Sequence, residues 1–98
     1  MRSKCDAELY MSVFAAGSTG LSLIGEYNRE STELTYFINS LESIDRFSFP
    51  GRNVKLIEDA LNKGLSEVKN DIKEKKYKKA ANTAEQMWQT FKILSDGL

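Results

Sequence analysis

Apolar side chains in this chain recur at steps of three and four, and that spacing limits its fold more than any motif does. One run is Leu34, Phe37, Ile38, Leu41 and Ile44; a second is Val54, Ile57, Leu61, Leu65, Val68 and Ile72; a third is Tyr77, Ala80, Ala84, Met87, Trp88, Phe91 and Leu94. Each puts its large residues on one side of a helix of 3.6 residues per turn, the pattern of an element that buries one face and wets the other. A single proline in 98 residues leaves these stripes almost uninterrupted. The reading is all-α: one domain over residues 1–98, a compact bundle of four to five helices, with room for one modest core.

Local signals set the expected boundaries. Around Leu9 to Gly25, apolar or small residues nearly encircle the axis, as in a central helix. Ala15, Ala16, Gly17, Ser18, Thr19 and Gly20 are small enough to let another backbone approach, or to break the helix there. Ser31 or Thr32 caps the second helix, which is expected to end near Arg46 or Phe47 ahead of Pro50-Gly51. Asn53 is the expected cap of the third, and Gly97 closes the fourth. On a helical wheel the stripe from Val54 to Ile72 and the stripe from Tyr77 to Phe91 stand about 100° apart. A turn through Lys73-Glu74-Lys75-Lys76 brings both onto one core, which predicts a long C-terminal antiparallel hairpin. Tyr77-Lys78-Lys79-Ala80 with Ala84 and Met87 resembles the opening of the second helix of a tetratricopeptide repeat. That short stretch lacks the repeat's turn glycine and has no second copy, so no repeat architecture follows.

Composition narrows the chemistry. The chain has no histidine, so most acid–base and transition-metal sites lose their usual agent. Its one cysteine, Cys5, forms no intrachain disulfide and has no partner for thiol chemistry, which makes it a bystander and points to a reducing, cytoplasmic setting. The uncharged stretch from Leu9 to Gly25 is diluted by three glycines and four hydroxyl residues and preceded by Asp6 and Glu8. It reads as a buried helix rather than a membrane span or a signal segment. Gly17-Ser18-Thr19-Gly20 lacks the lysine of a P-loop and the glycine spacing of a dinucleotide fingerprint, so close helix packing is the better explanation. Glu26, Glu30 and Glu33 would share one side of a helix drawn through them. Arg29 beside them makes that side a solvated face rather than a cation foothold. No catalytic, cofactor-binding or metal-binding set is expected.

Equal numbers of basic and acidic residues, fourteen of each, conceal an uneven distribution. Glu26, Glu30, Glu33, Glu42 and Asp45 face only Arg29 within their segment, while Lys69, Lys73, Lys75, Lys76, Lys78 and Lys79 crowd the expected hairpin tip against Asp71 and Glu74. The acidic segment suits a small cytoplasmic inhibitor or immunity-type protein that covers a basic site on a toxin or effector. Phe47 and Phe49, off any helical stripe, are candidate loop anchors for such a partner. The alternative is a helical adaptor or secretion chaperone, a class that includes homodimers, holding an amphipathic segment of a secreted client beside the small-residue stretch. The lysine tip lacks the arginines and exposed aromatics of a nucleic-acid surface, and neither nucleic acid nor membrane is an expected partner.

Overall fold

A computed structural model describes the backbone of residues 2–97 and the surroundings of side chains 6–97. Four helices account for the fold: α1 (Arg2–Tyr27), α2 (Thr32–Glu42), α3 (Lys55–Lys73) and α4 (Tyr77–Ser95), with no strand among the described residues. At 1.5 Å per residue α1 is about 39 Å long, and it sets the 41 Å long axis of a molecule 20 Å across. It does not break at its glycines. Two of them are where α2 lies down: a methyl group on Gly20 would sit 2.6 Å from the Leu34 backbone nitrogen, and one on Gly17 would sit 2.6 Å from the Phe37 ring.

The extensive interfaces are α1 with α4, α1 with α2, and α3 with α4. The bundle therefore runs in the order α2, α1, α4, α3, each helix antiparallel to its neighbour. Between α1 and α4 an aromatic cluster fills the centre. Phe91 meets Phe47 at 5.0 Å, Tyr10 at 5.5 Å and Phe14 at 5.6 Å between ring centroids, and Phe14 meets Phe37 edge-on at 5.1 Å. Tilted and edge-to-face pairs at these separations add about 0.5–1.5 kcal/mol each beyond simple burial.

Chain ends and turns follow local chemistry. Ser31 caps α2, its hydroxyl accepting from the Leu34 N–H at 3.1 Å. The α3–α4 turn is a Schellman motif in which Lys75 takes the left-handed conformation (φ 62°), Lys75 N–H donates to Ile72 O and Lys76 N–H to Asp71 O. Gly97, at φ 98°, closes α4 as expected. Two boundaries differ from expectation. Helix α2 stops at Glu42, because the segment after it is held by side chains of α3 instead of by its own helical bonds. Asn62 Oδ1 accepts from Phe47 N–H at 2.7 Å and its Nδ2 donates to Phe47 O at 3.0 Å. Glu58 Oε2 accepts from Phe49 N–H at 2.8 Å, and Lys69 Nζ donates to Ile44 O at 2.5 Å. The residue capping α3 is Val54 rather than Asn53, with no side-chain bond.

Candidate functional site

The acidic residues are all exposed, and none of the five takes part in an ion pair among the described residues. They do not form one helical face. Asn28 turns left-handed (φ 53°) and ends α1, its N–H donating to Ile24 O. Glu26 is thus left on the last turn of α1, Glu30 in the connection and Glu33 on the first turn of α2. Along α2, Glu33, Tyr36, Asn39 and Glu42 step by three, so each lies about 60° further round and the row winds across the outward face. Asp45 follows just beyond the helix end, also exposed.

Two tyrosines stand among these carboxylates. Tyr27 is 72% exposed at the end of α1, and Tyr36 is 47% exposed on α2. Neither was singled out from the sequence, although Tyr36 lies opposite the Leu34–Phe37–Leu41 stripe on the wheel. An exposed aromatic flanked by unpaired charge is the composition of a recognition surface, where a tyrosine supplies buried area at little entropic cost.

Phe47 and Phe49 do not belong to this surface. They are 0% and 2% exposed and pack on Phe91 at 5.0 and 6.4 Å, so the expectation that one anchors a partner from a loop is corrected. The segment is extended, and residues 47–50 alternate inward and outward: Phe47 and Phe49 in, Ser48 and Pro50 out.

The lysine tip is also rearranged. Lys69 is half-buried and donates to the Ile44 carbonyl, which removes it from any free basic patch. Lys76 pairs with Glu74 at 3.1 Å, and that partner holds the Glu74 carboxyl below its ordinary value, first through the hydrogen bond and then through charge. Lys79 reaches the buried Asp71 at 3.6 Å, where Oδ2 has no hydrogen-bond partner. The exposed Lys73, Lys75 and Lys78 complete the tip. Because α1 and α4 are antiparallel, this tip and the α1–α2 connection share one end of the bundle. Glu26 and Lys78 border the same hollow, so acidic and basic groups are neighbours rather than separate patches.

The small-residue segment, expected to lie beside a groove for a client helix, is covered by α2. An apolar groove of about 220 Å³ lies instead between α2 and α3, lined by Ile38, Leu41 and Ile72 with Glu42 and Lys69 at its rim. No group of three or more metal-binding side chains is found among the described residues, and no helix there is long and apolar enough to cross a membrane. Cys5 lies outside the described side chains. A scan against protein-family models finds no match for the chain, and neither do searches of curated proteins and of solved structures.

Proposed function

We propose that the chain is a non-catalytic protein-binding module of the inhibitor or immunity type, working in the cytoplasm, that neutralises a toxin or effector by covering a basic site. The observation that carries this reading is the stretch from the end of α1 through the connection and along α2 to Asp45, which carries five exposed carboxylates with no ion pair among the described residues, together with the exposed Tyr27 and Tyr36. Its physics divides the labour. Unpaired carboxylates accelerate encounter with a basic partner, and tyrosines that become buried on contact slow its release. The test is capture from lysate of the source cells on immobilised chain, wild type against E30K/E33K/E42K, followed by association kinetics with the captured protein. A basic protein held by the wild type, whose association slows at least tenfold in the variant at low salt, supports the reading. Capture of the same protein by both, with equal association rates, overturns it.

The α2–α3 groove favours a second reading, an adaptor or secretion chaperone that holds an amphipathic segment against Ile38, Leu41 and Ile72. A 1:1 complex with a folded basic enzyme supports inhibition. A homodimer holding an unfolded secreted chain supports chaperoning.

A further inference from the structure

The hollow between the end of α1 and the α3–α4 turn measures about 400 Å³, within the 300–1,000 Å³ range of small-molecule sites. Half of its lining is lysine: Lys75, Lys76, Lys78 and Lys79, with Ile24 and Tyr77 supplying apolar wall. No carboxylate lines it; Glu26 borders the adjoining hollow instead. We propose that this hollow binds a small phosphate-bearing ligand, with the Lys75 and Lys78 ammonium groups as its recognition element.

Charge balance specifies the ligand. Lys76 and Lys79 each have a carboxylate partner, Glu74 and Asp71, whereas Lys75 and Lys78 have no carboxylate within ion-pair distance among the described residues. Two positive charges are left over, which matches a phosphate dianion or a diphosphate rather than a single carboxylate. Lysine ammonium groups are compact point charges on flexible stems, so they can converge on a tetrahedral anion without the planar geometry an arginine fork requires. Bringing these like charges together is costly in itself, and an anion seated among them offsets that cost. A polynucleotide is a poorer fit. The exposed Glu26 borders the adjoining hollow, and no arginine follows Arg52.

The experiment is amide NMR on the full chain, titrated with sodium pyrophosphate, with adenosine diphosphate as a second arm and sodium chloride at matched ionic strength as the control. Saturable shifts confined to the amides of Ile24, Gly25, Asn28 and residues 75–79 are expected, absent with chloride and at least tenfold weaker in K75A/K78A. K63A/K92A, which removes two exposed lysines elsewhere, retains wild-type affinity. Equal affinity for the two ligands identifies the phosphates as the whole ligand; tighter binding of the nucleotide adds the wall formed by Ile24 and Tyr77. Shifts that fail to saturate, that chloride reproduces, or that persist unchanged in K75A/K78A overturn the proposal. So does tighter binding of a single-stranded oligonucleotide with shifts spreading beyond the hollow.

Discussion

Replacing Gly20 with alanine tests how α2 is seated, because two effects of opposite sign compete at that position. In an isolated helix the change stabilises by about 1 kcal/mol, since alanine restricts the unfolded chain and favours helix. Here the new methyl carbon would lie 2.6 Å from the Leu34 nitrogen, 2.8 Å from its Cα and 3.0 Å from its Cβ. Ordinary carbon contacts are about 3.5–4.0 Å, so α2 must retreat by roughly 1 Å at its first turn. That turn cannot retreat freely, because the same Leu34 N–H is the one bonded to the Ser31 cap. Overpacking costs about 1–3 kcal/mol and a weakened cap about 1 kcal/mol. Set against the propensity gain, the expected net loss is about 2 kcal/mol. For a domain of this size that lowers Tm by roughly 8–16 °C, and it leaves the protein folded if its stability is the usual 5–15 kcal/mol or so. Gly64→Ala is the contrast. Its methyl would meet Met87 Sδ at 2.9 Å, the adaptable end of a flexible side chain, so the expected change is near zero. Both are measured by thermal and denaturant unfolding followed by far-ultraviolet circular dichroism. G20A as stable as the wild type, or more so, refutes the argument that α2 rests backbone to backbone on α1.

Two further outcomes follow from the core. Asn62→Ala strips both bonds from the Phe47 peptide groups and should cost about 2–3 kcal/mol in denaturant unfolding; a loss under about 0.5 kcal/mol would mean that the Asn62 bonds do not hold the 43–54 connection. Tyr10 titrates above the ordinary tyrosine value, chiefly because burial disfavours the phenolate and secondly because Asp6 is near. Its phenol is therefore neutral in the fold when the unfolded chain begins to ionise. The stability it contributes is complete below about pH 10 and declines as pH rises from there through the raised folded value. Tyr10→Phe should flatten that alkaline decline, and an unchanged slope would assign the decline to other groups.

The helices were legible because their stripes are long and in phase. The hairpin was legible through a phase break alone, since Lys75 occupies the left-handed position where a glycine would have announced the turn. What escaped was tertiary. Ile44 continues the α2 stripe on a wheel, yet its carbonyl goes to Lys69 and the Phe47 peptide groups go to Asn62, partners 25 and 15 residues away that no local window contains. The burial of Phe47 and Phe49 was readable as a period of two, once the segment is known to be extended. Of the candidate surface, the acids were visible as a cluster in the chain, but their spread over α1, a turn and α2 depends on the left-handed Asn28. The tyrosines among them were visible only as residues out of phase with the core.

The order α2, α1, α4, α3 has a consequence for motion. It describes a seam of two helices flanked by α2 and α3, each of which has one extensive interface and can lift from it without parting the seam. Hydrogen exchange should then be slowest in α1 and α4, with α2 and α3 opening as separate units. The surface proposed for partner binding is carried largely by one of those flanking helices. Its grip therefore depends on how often α2 is seated, and every contact that seats it, from Gly20 to the Ser31 cap, bears on recognition as well as on stability.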